Sequence, residues 1–142
     1  MTKTIVRRVG RLMEFRYPAF VEMEFIKRWA ADCKELMGAI NAEGHRTLAI
    51  GDLRPCHVMS REVTDAIVAI LKVHNPLAER TAVLFGNSVF GLQVWRIFQD
   101  SNSDHRTVTN SVEDAVGALR SVATPEELAR ARAFLAEPAP AT

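Results

Sequence analysis

Thr47-Leu-Ala-Ile-Gly-Asp-Leu53 and Thr81-Ala-Val-Leu-Phe85 are two short apolar runs, each leading through a polar loop into a segment of helical periodicity. Strands with one wet face alternate apolar with polar residues. These runs do not, so they read as parallel strands buried on both faces of an open α/β sheet. In such sheets functional groups gather beyond the carboxyl ends of the strands, which directs attention to Gly51–Met59 and Gly86–Ser88.

Working outward, Thr4–Arg8 and Leu12–Tyr17 alternate approximately around Gly10, the pattern of an N-terminal hairpin or edge strand. From Glu22 to Asn41, Phe25, Trp29, Cys33, Leu36, Met37 and Ile40 recur at helical spacing, and Gly44 stands just past the end as a stop. Ser60 occupies the N-cap position of a second helix carrying Val63, Ala66, Ile67, Ile70 and Leu71, which Asn75-Pro76 closes. A third helix, Val89–Asp100, is apolar on nearly every side, so it is either buried by sheet and neighbours or exposes a sticky face that favours a homodimer. His105–Thr109 reads as a last short strand and Ser111–Leu119 as a helix. Thr124-Pro125-Glu126-Glu127 opens another helix with a capping threonine, a proline at the first position and a glutamate at the third. The expected architecture is a single α/β domain over residues 1–137, with a disordered tail Pro138–Thr142. Its open sheet has four to five mostly parallel strands, Leu48–Gly51 and Ala82–Phe85 central, and helices on one or both faces.

Composition narrows the function classes. The chain has 142 residues, 48% hydrophobic and 25% charged, enough for one domain with a sizeable core. Lys+Arg total 18 against 17 Asp+Glu, so the formal charge of +1 provides no global field for nucleic acid. The local excess of Lys3, Arg7, Arg8, Arg11 and Arg16 over Glu14 reads as a solvated edge strand rather than a phosphate-binding patch. No apolar leader or membrane-length run is visible, so a cytoplasmic protein without membrane insertion is expected. Cys33 and Cys56 lack disulfide or zinc spacing, and His45, His57, His74 and His105 are scattered; neither a metal nor a cofactor is expected.

Motifs for catalysis are weak. Asp52, Cys56 and His57 supply the residue types of a nucleophilic site, the basis for a small hydrolase. Yet nucleophile, base and orienter normally converge from separate elements rather than from one loop. Gly86 and Gly91 repeat the glycine spacing of a phosphate loop, but Leu92-Gln93 stands where Lys-Ser/Thr is needed. The expectation is a protein that is not an enzyme.

The order of elements carries a resemblance. Leu48-Ala-Ile-Gly-Asp-Leu-Arg54, the helix opening at Ser60, Thr81-Ala-Val-Leu-Phe85, and Val94-Trp-Arg-Ile-Phe98 leading to Arg106-Thr-Val-Thr-Asn-Ser-Val-Glu-Asp-Ala-Val116 together form the matching pattern. Over roughly Arg11 to Leu119 it resembles the STAS domain of sulphate transporters and anti-sigma-factor antagonists, and more closely the SpoIIAA-like proteins of the STAS/Sec14-like group. That resemblance implies a non-catalytic regulatory or protein-interaction module, whose protein partner docks at the loop after the Leu48–Leu53 strand and the N-terminus of the following helix. Asp52, Arg54, His57 and Ser60 are the partner-binding residues it points to. Ser60 matches the serine that is phosphorylated in the antagonists, although the acid before it and the glycine after it are absent here, and a plain N-cap is the stronger reading of it. The resemblance leaves a second class open, a carrier or sensor of a small apolar, lipid-like ligand, since Sec14-like folds hold lipids and this chain offers Trp29, Phe90, Trp95 and Phe98. A cavity beneath the second and third helices favours the carrier, a flat closed surface the interaction module, and a deep polar cleft the enzyme.

Overall fold

The computed structural model describes residues 5–137. Lys3, Thr4 and the expected tail Pro138–Thr142 lie outside them. Strands β1 (Val6–Val9) and β2 (Leu12–Arg16) form an antiparallel hairpin, and Gly10 takes the left-handed φ of +61° that its tight turn needs. Helix α1 (Met23–Ala42), strand β3 (Thr47–Leu53), helix α2 (Arg61–His74), a 3₁₀ turn (Asn75–Leu77) and strand β4 (Ala78–Phe85) follow. Helix α3 (Ser88–Asp100), strand β5 (Arg106–Thr109) and helices α4 (Val112–Gly117) and α5 (Pro125–Ala136) complete the chain.

The five strands lie in the order β1-β2-β3-β4-β5, with β2 to β5 parallel and β1 antiparallel at the edge. The two apolar runs are central strands, and every residue of β3 is buried. This is the open, mostly parallel α/β sheet expected from their lack of alternation.

Because each new parallel strand is added on the same side of the last, right-handed crossovers put α1, α2 and α3 on one face of the sheet. Their inward side chains, among them Ile26, Trp29, Met37, Ile67, Phe90 and Ile97, pack on Met13, Phe15, Ala49, Leu53 and Val83. The opposite face, Leu12, Leu48, Ile50, Ala82 and Leu84, is left for the C-terminal helices, and Ala115, Val116, Leu119, Ala131, Phe134 and Leu135 cover it. Both faces are therefore dry.

Two details differ from the sequence reading. Strand β4 begins at Ala78, three residues before Thr81; the register passes from Thr47 opposite Ala78 to Leu48 opposite Arg80, leaving Glu79 as the extra residue of a bulge. The N-terminal arginines are not simply solvated. Arg7 and Arg130 converge on Glu14, which is buried on the α5 side of β2; Arg8 holds Glu43, Arg11 holds Glu79 and Arg16 holds Asp52. The local excess of charge is balanced by acids supplied from other elements.

Candidate functional site

Of the residues that sequence singled out after β3, Asp52 and Arg54 are bonded to each other, while His57 and Ser60 lie in separate surroundings. Asp52, 3% exposed, projects from β3 toward α5 and accepts from Arg16 Nε (3.0 Å), Arg54 Nε and Nη2 (2.9 Å each) and the Arg54 amide (3.1 Å). Arg16 and Arg54 continue to the carbonyls of Phe134 (3.2 Å) and Leu135 (2.7 Å). The cluster thus ties the C-terminal turn of α5 to the sheet through its carbonyls. Burial alone opposes ionisation of Asp52, but the hydrogen bonds from Arg54 and Arg16 outweigh it and hold the carboxyl below its ordinary value.

His57 is exposed and stacks on Phe20, ring centroids 4.7 Å apart. Cys56 is buried, donates its thiol to the Pro18 carbonyl, and is pushed up to about 12 first by burial and then by the charge of Asp52. Among the described residues no hydrogen bond joins Asp52, Cys56 and His57, so the geometry of a nucleophilic triad is not assembled. Ser60 caps α2, accepting from the Val63 amide at 3.2 Å. Ser60→Ala is expected to cost about 1 kcal/mol in a urea melt, whereas Ser60→Asp, which still caps, is expected to hold the wild-type midpoint. Gln93, unremarked in the sequence, pins this loop: its side-chain oxygen accepts from the Met59 amide and its nitrogen donates to the Met59 carbonyl, each at 2.8 Å.

The interior is more informative. Between the sheet and the layer of α1, α2 and α3 lies a cavity of about 60 Å³. Its walls are mostly apolar, with Met13, Phe15, Trp29, Met37, Val83 and Phe98 among them. Strand pleating explains the composition of the sheet side, since Ala49, Thr81 and Arg106 are successive register partners across β3, β4 and β5 and all project toward the helices. Ala49 is small, and the aromatic ring of Phe15 lies across Gly51 so closely that a Cβ there would fall 2.6 Å from it. Gly51 gives its space to the Phe15 ring, and the small Ala49 leaves room in the cavity that a larger residue would fill.

Four polar lining residues come from four separate elements. Thr47 opens β3, His74 ends α2, Thr81 lies in β4 and Arg106 opens β5. Thr47 Oγ1 and Trp29 Nε1 are fully buried without a hydrogen-bond partner among the described residues. Burial, with the Arg106 charge adding to it, lowers the pKa of His74, so its imidazole is neutral at pH 7. Burial also raises Tyr17 well above its ordinary value and pushes Cys33 up to about 12, leaving both protonated. At neutral pH the cavity therefore holds one formal charge, that of Arg106. Sequence reasoning missed this set. It looked to the carboxyl ends of the strands, while Thr47 and Arg106 stand at the amino ends of theirs, and only the parallel register brings Arg106 beside Thr81.

Of the aromatics offered for an apolar ligand, Trp29 and Phe98 line the cavity, Phe90 is fully buried elsewhere in the core, and Trp95 is 53% exposed. Val89, Leu92 and Trp95 form an outward stripe on α3. An open, polar groove runs between α2 and α3, lined by Arg61, Asp65, Leu92, Arg96 and Asp100. Among the described residues no helix is long and apolar enough to cross a membrane, and no three His, Cys, Asp or Glu side chains are grouped to hold a metal ion.

No family model, curated protein or solved structure matches the chain. What the fold and the site define is a class by architecture, an open α/β domain with an internal, largely apolar cavity of mixed polar lining.

Proposed function

We propose that the protein is a carrier or sensor of a small, largely apolar ligand held between the sheet and helices α1 to α3. The observation that carries this reading is the cavity itself, which combines apolar walls with buried, unpartnered donors at Trp29 Nε1 and Thr47 Oγ1. Buried polar groups are almost always hydrogen-bonded, and binding sites characteristically pair apolar walls with a few convergent polar groups. The test is thermal unfolding with short alcohols and short carboxylic acids as probes. A ligand that binds only the folded chain stabilises it by about 2.7 kcal/mol at a hundredfold excess over Kd, so a saturable rise in midpoint is expected with at least one probe. Ala49→Leu, which fills the cavity from the sheet side, is expected to abolish that rise. If no probe stabilises the wild type, the cavity is a packing feature and the proposal fails.

A second reading has one specific observation in its favour. The groove beside the first turn of α2, with the exposed Val89, Leu92 and Trp95 next to it, supports a STAS-like interaction module that meets a protein partner or a second copy there. His57 and Ser60 are both exposed ahead of α2, whereas Asp52 is bonded to Arg16 and Arg54.

A further inference from the structure

Arg106 is the charge that the cavity does not neutralise. Its Nη1 donates to Asn75 Oδ1 and to Ser103 Oγ, both neutral oxygens. Among the described residues nothing accepts from Nε or Nη2, and no carboxylate pairs with the guanidinium. Arg11 and Arg16, also drawn in against the sheet, each sit on a carboxylate. A partly buried charge supported by neutral oxygens alone is under-compensated, and it is stabilised when an anion arrives.

The supporting side of Arg106 is built. Asn75 donates its Nδ2 to the Ser101 carbonyl at 2.8 Å, and the Ser101 and Ser103 hydroxyls are linked at 2.6 Å. This network orients Asn75 Oδ1 and Ser103 Oγ and so holds the Nη1 edge in place. The Nε and Nη2 edge that remains is a planar two-donor fork, the geometry that matches a carboxylate bidentately.

We infer that the ligand of this cavity is a short-chain monocarboxylate, its carboxylate taken by the free fork of Arg106 and its apolar tail lying among Met13, Met37, Val83 and Phe98. The inference rests on the ligand-binding reading above and adds the chemical class. Charge selects a monoanion, because Arg106 is the single formal charge in the cavity and His74 beside it is neutral; a phosphate dianion would remain half uncompensated. Size selects a short tail. A cavity of about 60 Å³ has no room for a long acyl chain, and Met13, Met37 and Met59 supply flexible walls that re-pack around a few carbons.

The experiment compares butyrate with its neutral counterpart butyramide at pH 7, by calorimetry on the wild type and on Arg106→Gln. In parallel, the arginine side-chain nitrogens of the wild type are followed by NMR, which needs no variant to fold. Butyrate is expected to bind at least tenfold more tightly than butyramide, octanoate more weakly than butyrate, and the Arg106 Nε–H resonance to move with butyrate only. In Arg106→Gln the preference for butyrate is expected to vanish while butyramide binding persists. Equal affinity for butyrate and butyramide in the wild type would overturn the carboxylate inference and leave the cavity reading standing. Binding of neither, together with no stabilisation by butanol, would overturn the cavity reading itself. A butyrate preference that survives Arg106→Gln, with the Arg106 resonance unmoved, would place the anion elsewhere and refute the assignment to Arg106.

Discussion

Replacing Asp52 by alanine is expected to lower the free energy of unfolding by about 3–5 kcal/mol, the cost of removing one partner from a buried ionic cluster. Arg16, whose side chain is 14% exposed, would keep its charge without a carboxylate, and the clamp on the Phe134 and Leu135 carbonyls would lose its anchor. The same cluster predicts a pH dependence. Because Asp52 is held below its ordinary value in the folded chain, its contribution is complete above the unfolded pKa, about 3.9, and is lost as pH falls through the lower folded value. Denaturant melts between pH 7 and pH 2 should show this acid-side loss in the wild type and a shallower one in Asp52→Asn. A midpoint for Asp52→Ala close to wild type would remove the clamp from the account.

Phe90→Ala is expected to cost a further large amount, about 3–5 kcal/mol, because the ring is fully buried under α3 and its loss leaves a void that the neighbours only partly close. Trp95→Ala on the same helix should change stability by no more than about 0.5 kcal/mol, since that ring is 53% exposed. Urea denaturation of the pair separates the two sides of α3 directly. Comparable losses would show that the outward stripe is covered in solution.

These variants also mark how far the sequence could be read. The two central strands were legible because burial on both faces erases the period of two, and the starts of α2 and α5 because Ser60 and Thr124 carry the chemistry of a cap. Helix α3 was legible as a helix but not as an amphipathic one. Val89, Leu92 and Trp95 are as apolar as Phe90 and Val94, so nothing in residue type says which side meets the sheet. Asp52 and Arg54 looked available because they stand near a strand end. Their commitment to α5 depends on a helix more than seventy residues later returning beneath β2, and short-range patterns carry no trace of that contact. The cavity lining was hidden for the same reason. Thr47, His74, Thr81 and Arg106 are ordinary residues in four separate segments, and only the pairing of β3, β4 and β5 with α2 packed over them makes them neighbours.

The central claim is that the binding site is the interior between the sheet and α1 to α3. Titration of the ¹⁵N-labelled chain with butyrate, followed by two-dimensional NMR, tests it at every residue at once. The expected result is saturable movement of the Trp29 indole N–H and of the Ala49, Thr81 and Arg106 amides, with Arg61, Leu92 and Arg96 of the outer groove unmoved. Movement confined to those groove residues would contradict it, as would no movement at any of them with butyrate, butyramide and butanol alike.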